Sequence, residues 1–566
     1  MRFLFFFIVA GFFLGFASVS EAASFGQVLK FTVDPSFDIS SREELQTVLV
    51  RETSQLSLFV EQDWWNSLNA ISQSELQNNL QLLALEFERT IYPNLTSAYG
   101  AEWNPGVDGD PKITIVVHRM KKGAGGYFRA VDEHLKLEFP NSNEKEMLYL
   151  ASDFINTALA KSALAHEFTH LITYNQKERI RKIKEEPWLD EARAEYSPTL
   201  LGYNNIFEGS NLEKRLKVFL QNPGNSLVEW QGEEQDYGVA SMFAHYLVDH
   251  YGAGVLIDSL KSESIGIPSL NAAFLQNGFE VDFRKVFTDW TLAVFLNDCS
   301  YGKEYCYLNQ NLKSLRLNPV LHLLPLGGTS RLEVSYATKN WAGNWLKFVG
   351  GQGALRFEFQ VFGALTFKLP YLVQAVDGAY RLDFLNLAAT RRGEFFVSDF
   401  GTKQKALVII PTLQTKILGF GEFEPSFPFS LTASILERTP SEEADLIKGL
   451  QAQIILLQNE IARVLAELKV RGAGPVSCAS FQTNLTLGMR GSEVQCLQVF
   501  LKNQGSDVYP EGLATGYFGF LTQTAVARFQ EKYATEILIP LGFQKGTGYV
   551  GALTRMKMNE LLTFSP

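Results

Sequence analysis

The sequence predicts a multidomain α+β protein, and three observations carry that prediction. The chain has 566 residues, too many for one ordinary domain. Its apolar residues recur at helical spacing over most of the first half, at a period of two between Pro319 and Arg438, and in a three-four alternation from Glu442 to Val470. Hydrophobic residues make up 46% and charged residues 20%, which supplies material for real cores and argues against wholesale disorder. The net charge of -10, with no long basic run to offset it, argues against nucleic acid as a partner.

Residues 1–22 carry Arg2, an apolar run from Phe3 to Phe16, and small residues ending Ser20-Glu21-Ala22. That order is expected of a secretory signal peptide cleaved after Ala22; the alternative is an uncleaved membrane anchor, for which the apolar run is short. An exported protein folds in an oxidising compartment, and the four cysteines fall as two local pairs, Cys299/Cys306 and Cys478/Cys496, expected to be disulfides.

From residue 24 to 110 the chain is expected to be mostly helical, with helical apolar spacing over Glu43–Leu58 and Ser74–Tyr92 and with Trp64-Trp65 in the core. Asn104 to Asp110 (NPGVDGD) reads as a turn; its acidic residues could hold Ca2+, but the spacing is not that of an EF-hand loop, so calcium is unsupported. Lys112–His118 (KITIVVH) reads as a strand. The glycine-rich Gly123–Phe128 follows, lacking the Lys-Ser/Thr ending of a P-loop, and Tyr127–Leu137 reads as a second strand.

Asn156–Gln176 has no proline or glycine and is rich in Ala and Leu, so it should be helix. Within it His166-Glu167-Phe168-Thr169-His170 places two imidazoles four residues apart, on one helical face, where both can bind one metal ion. Pro187 then opens another helical stretch, Trp188-Leu189-Asp190-Glu191-Ala192-Arg193-Ala194-Glu195. H-E-x-x-H followed some twenty residues later by W-L-[ND]-E-x-x-[AS]-[ED] resembles the gluzincin metallopeptidases, the group of thermolysin, the zinc aminopeptidases and the hyicolysin-like secreted proteases.

That resemblance implies a zinc metallopeptidase domain over residues 23–315. One catalytic Zn2+ would be held by His166, His170 and Glu191, with a position open for water. Glu167 would be the general base, and Asp190 and Glu195 would steady the histidines from behind. A tyrosine or histidine beyond the third ligand would donate to the oxyanion: Tyr237 is the candidate, His245 the reserve. Gly123–Phe128 would be a flexible rim, and the strand it opens into, Tyr127–Leu137, could offer its backbone edge to an extended peptide. The G-x-M-E-N strand by which zinc aminopeptidases capture an amino terminus has no counterpart here, which favours an endopeptidase.

Residues 316–438, with alternation in Arg356–Val361 and further strands at Ala406–Ile410 and Ser430–Leu436, read as a β-sandwich accessory domain. Residues 439–471 read as a coiled coil or helical linker. Its seam at Ile447, Leu450, Ile454, Leu457, Ile461, Val464 and Leu468 suits either homodimerisation through 447–468 or docking on a neighbouring domain. After the linker Gly472–Pro475, Leu487–Gln498, Gly516–Thr522, Ala525–Gln530 and Gly548–Thr554 resemble a peptidoglycan-binding domain of the G-x-x-G-x-x-V-x-x-L-Q type. This implies three helices across residues 476–564, each entered through a Gly turn with Ser or Thr supplying a cap.

The expectation is therefore a secreted or cell-wall-associated zinc endopeptidase, located in the envelope or outside the cell, acting on peptide or protein. Two alternatives stay open: a hydrolase of peptidoglycan stem peptides, and a non-catalytic wall-binding adhesin or scaffold.

Overall fold

The computed structural model describes residues 25–325, 330–436, 457, 478 and 480–563. The expected signal segment and, residue 457 apart, the expected helical spacer with its homodimer seam lie outside the described residues. The chain divides into two compact units, one of residues up to 94 with 101–171, the other of 95–100 with 172 onward.

The first unit is built on a six-stranded sheet: β1 (Val28–Thr32), β2 (Glu44–Glu52), β3 (Leu56–Glu61), β4 (Ile113–His118), β5 (Gly126–Phe128) and β6 (Met147–Ala151). The strand order is β1-β2-β3-β4-β6-β5, with β3, β4 and β6 parallel and the outer pairs antiparallel. Every residue of the three parallel strands is buried, the behaviour of strands covered on both faces. Helices α1 (Gln62–Ser67), α2 (Ala70–Glu86), α3 (Tyr92–Tyr99) and α4 (Leu159–Thr173) follow the strands, with a π-turn at Phe87–Ile91 between α2 and α3. Asn69 starts α2 by accepting a hydrogen bond from the Ser72 amide at 2.9 Å.

Three expectations are corrected here. Glu43–Leu58 is not a helix but β2 and the start of β3, and Thr53 turns the chain between them, its hydroxyl accepting from the Gln55 and Leu56 amides. The run Thr-Val-Leu-Val fits either period, and pairing with β1 on one side and β3 on the other decides it. The strand expected over Tyr127–Leu137 ends at Phe128 and passes into a 3-10 turn at Ala130–Glu133. Trp64 and Trp65 sit half-buried on α1, which buries no residue fully, so they are not core. The Asn104–Asp110 turn spends its acids locally: Asp108 pairs with Lys145 and accepts from the Asp110 amide, and Asp110 accepts from the Lys112 amide.

The second unit opens with α5 (Pro187–Leu200), α6 (Asn211–Gln221), α7 (Glu234–Tyr251), α8 (Ala253–Lys261), α9 (Gly266–Gln276) and α10 (Phe283–Leu296) around one apolar core. The Cys299–Cys306 disulfide closes the loop after α10. Strands between Val320 and Ile435 then form a nine-stranded sheet and a two-stranded pair. Phe348, Phe357, Phe359, Tyr371, Leu407 and Phe429 come from strands across the sheet and share one apolar core. Leu372 and Val408 alternate to the opposite face and join the helical core together with Trp341 and Trp345, whose indole donates to the Thr291 carbonyl at 2.9 Å. Burial on both faces welds this β-structure to the helices.

Among the described residues the C-terminal part holds the helices α11 (Ser492–Asn503), α12 (Phe520–Lys532), the single-turn α13 (Ala534–Ile537) and α14 (Ala552–Thr563). The Cys478–Cys496 disulfide is formed. The N-caps of α11 and α12 are Gly491 and Gly519 with no side-chain cap bond, so the expected Ser/Thr caps are not used at those two starts.

Candidate active site

The α4 sequence fixes which way its histidines face. Phe168 is fully buried, 5.0 Å edge-on from the Phe87 ring and stacked 5.6 Å from Tyr92, and Thr169 donates to the Ala165 carbonyl one turn back. At about 100° per residue, His166 and His170 lie roughly 200° from Phe168 and only about 40° from each other. Anchoring the phenylalanine therefore turns both imidazoles to the opposite side, where their Nε2 atoms stand 3.1 Å apart.

Among the described residues one group of side chains is suited to a metal ion: His166, His170 and Glu191, whose ligand atoms all lie within 4.8 Å of one another. The geometry fits zinc. Two nitrogens each about 2.0–2.1 Å from a tetrahedral ion stand roughly 3.3 Å apart, close to the separation seen. Two imidazoles and one carboxylate are also the donor set that leaves a coordination position free.

Glu167 is 5% exposed on the same helix. Beside it runs β5, which ends the strand order of its sheet and pairs with β6. Gly126 of that strand is needed for space: a Cβ there would come 2.6 Å from the Tyr149 carbonyl oxygen and 2.9 Å from Cγ of Glu167.

Glu191 and Asp190 sit in the first turns of α5, which begins with Pro187 as expected. The turn before it is held by Glu186, which accepts from the Trp188 indole at 2.8 Å and from the Gly419 amide at 2.7 Å. Burial pushes the Glu186 carboxyl pKa up. Glu195, one helical turn beyond Glu191, is fully buried and clamped by Arg215 of α6, at 2.6 Å from Nη2 and 2.9 Å from Nε, with Asn211 at 3.1 Å. Burial opposes the Arg215 charge, but Glu195 more than offsets it and raises its pKa. The same guanidinium lies 4.6 Å over the Tyr237 ring, which Trp230 meets edge-on at 4.9 Å. Tyr237 stands in the first turn of α7.

His245 does not suit the reserve role. It is buried, with Nδ1 2.7 Å from the Ser241 carbonyl and Nε2 2.7 Å from the Thr199 hydroxyl, and its ring meets Tyr196. Nδ1 is tied to α7's own backbone and Nε2 to α5, and burial pushes its pKa down.

Sequence reasoning missed Arg215 and Gly126. A signal for Arg215 existed: it stands in the stripe of Leu212, Leu216 and Phe219, the buried face of α6, where a charge needs a partner. Nothing local marks Gly126, because the crowding comes from β6 and α4.

Two imidazoles and one carboxylate, with a further carboxylate next to the first histidine, form a donor set suited to a metal ion. The chain is 26% identical over 238 residues to the neutral metalloprotease ShpI of Staphylococcus hyicus, covering 38% of this chain and 50% of that protein, so it spans about half that relative's length. Residues 490–558 match the family model described as a putative peptidoglycan binding domain. Among solved structures, the Aeromonas hydrophila periplasmic inhibitor of g-type lysozyme aligns at 11% identity and TM-score 0.14 over 21% of this chain and all of its own. A family GH115 4-O-methyl-alpha-glucuronidase aligns at 7% identity and TM-score 0.12 over 59% of this chain and 53% of its own. Such low scores carry no weight for fold or function.

Proposed function

We propose that the chain is an exported zinc endopeptidase of the gluzincin type, held at the cell wall by its C-terminal module. The observation that carries the reading is the approach of His166, His170 and Glu191 with Glu167 on the same helix. The similarity to a neutral metalloprotease and the peptidoglycan-binding match support it, and the two disulfides suit an extracellular or wall location.

His166, His170 and Glu191 would hold the ion, and zinc bound there supplies the Lewis acidity that lowers the pKa of the attacking water and polarises the scissile carbonyl. The Glu167 carboxylate takes a proton from the water as its oxygen adds to that carbonyl carbon. It then passes the proton to the leaving amine nitrogen as the C–N bond breaks. Tyr237 donates to the carbonyl oxygen as it becomes an oxyanion. Arg215 orients the Tyr237 ring and, through Glu195, the helix bearing Glu191. Asp190 and Glu195 steady the histidines. The strand β5, which runs beside Glu167, aligns an extended substrate. In this scheme residues 23–315 form the catalytic domain and residues 316–438 its packing support.

The test is casein digestion by wild type and Glu167→Gln, with zinc measured in both. Wild type is expected to bind about one zinc and to lose activity to a chelator. Glu167→Gln should keep the zinc and lose turnover by a factor of 10² or more. Full activity in that variant would sink the assignment. The peptidoglycan-binding match favours a second reading, hydrolysis of the wall's stem peptides, so the same pair of proteins is tested on purified sacculi.

A further inference from the structure

The C-terminal part is an internal duplication. The segment Thr515-Gly516-Tyr517-Phe518-Gly519-Phe520-Leu521-Thr522 recurs 32 positions later as Thr547-Gly548-Tyr549-Val550-Gly551-Ala552-Leu553-Thr554. The hydrogen bonds recur with it. Gln498 on α11 donates through Nε2 to the Tyr517 carbonyl at 2.8 Å and the Thr522 hydroxyl at 2.9 Å, and accepts from the Gly516 amide at 2.8 Å. Gln530 on α12 donates to the Tyr549 carbonyl at 2.7 Å and the Thr554 hydroxyl at 3.0 Å, and accepts from the Gly548 amide at 3.0 Å. Each half is thus a helix whose buried glutamine ties down a T-G-Y-x-G loop and the start of the next helix.

The halves differ in what lies on the tyrosine. In the first, the Arg490 guanidinium covers the Tyr517 ring at 4.2 Å, and that ring is half-buried. In the second, Tyr549 is 42% exposed and stands beside a groove of about 390 Å³ walled by Ile537, Leu538, Leu541, Phe543 and Leu553. Leu541 and Phe543, 54% and 49% exposed, form its rim. An aromatic ring and apolar rim left open to solvent are unusual on a small soluble module.

We propose that this second-half groove is where the module takes the wall polymer, with the N-acetylated amino-sugar backbone as occupant. Flat Tyr549 and Phe543 faces suit the C–H faces of pyranose rings, and the apolar floor suits acetyl methyl groups. The inference rests on the reading of this module as wall-binding, and the groove residues from Ile537 to Leu553 fall inside the matched stretch 490–558. The first half is a structural copy, with its tyrosine covered.

The test measures binding of the full chain to purified sacculi and to glycan strands freed of their peptides, for wild type, Tyr549→Ala/Phe543→Ser, and Val499→Ser. Val499 is a control, 39% exposed on α11 outside the groove. Unchanged thermal unfolding of the variants establishes that they fold. Loss of ten-fold or more in affinity for both polymers in the double variant alone supports the proposal. Wild-type affinity in the double variant overturns the groove while leaving wall binding intact. Loss on sacculi with no binding of wild type to peptide-free glycan overturns the sugar occupant in favour of the stem peptide. Failure of wild type to bind sacculi at all overturns the wall-binding reading itself.

Discussion

Replacing Gly126 with alanine adds one methyl group between β5 and the helix that carries Glu167. Gly126 holds no positive φ, so the change costs no backbone strain and acts through space alone. The new Cβ would lie 2.6 Å from the Tyr149 carbonyl oxygen and 2.9 Å from the Glu167 Cγ. Ordinary non-bonded contacts are about 3.5 Å, so a gap of nearly 1 Å must be opened. The carbonyl belongs to β6, which is paired with β4 on one side and β5 on the other and does not yield, whereas β5 ends the sheet order and Glu167 is a side chain. The displacement therefore falls on β5 and on Glu167, the strand and the base of the proposed mechanism. Overpacking of this kind costs about 1–3 kcal/mol in stability. A misplacement near 1 Å costs turnover about 10²-fold. The assay is kcat on casein beside zinc content and urea unfolding: kcat should fall about a hundred-fold while zinc stays bound. A variant with kcat within about three-fold of wild type and unchanged stability would refute the placement of β5 beside the working carboxylate.

Arg215→Met leaves the Glu195 carboxylate buried without its cation. Urea unfolding should show a loss of about 3–5 kcal/mol, with Glu195→Gln/Arg215→Met less damaged than Arg215→Met; a loss below about 1 kcal/mol would show that the pair does not hold the site. Acid should act on the first unit in two opposite stages. Burial pushes the Asp132 pKa up to about 6, above its unfolded value, so its unfavourable ionisation is relieved, and stability rises, as pH falls from about 6 towards 4. Burial also opposes ionisation of Asp38 and Glu61. Hydrogen bonds from Arg42 to both, and from Arg119 to Glu61, outweigh it and hold both pKa values at about 2, so their stabilisation is present above about pH 4 and lost as pH falls through 2. Urea midpoints at pH 7, 5, 3 and 2 should pass through a maximum near pH 4–5, and a midpoint still rising at pH 2 would contradict these pairings.

Much of the site was legible because its signals are local. His166, Glu167 and His170 are related by the helical period alone, and a helix was readable from Ala and Leu content without glycine or proline. Pro187 marked the start of α5, and the W-L-D-E context pointed to Glu191. The reading failed where a run of residues fits two periods. Glu43–Leu58 became paired strands because neighbours in the sheet supply hydrogen bonds that no window of sequence contains. His245 was expected on a working face, and its two hydrogen bonds put it in a core.

By itself the sequence determined the helix that carries His166, Glu167 and His170, the helix that carries Glu191, the two cysteine pairs and the motif of the C-terminal module. All of these are written in spacings of a few residues, where covalent geometry and the helical period do the placing. Only the tertiary structure decided that β5 ends its sheet beside Glu167, that Arg215 joins Glu195 to Tyr237, and that one of two repeated tyrosines is covered while the other stays open. Those facts depend on which distant segments meet, and the energy that selects them is burial and pairing between elements rather than any preference within one.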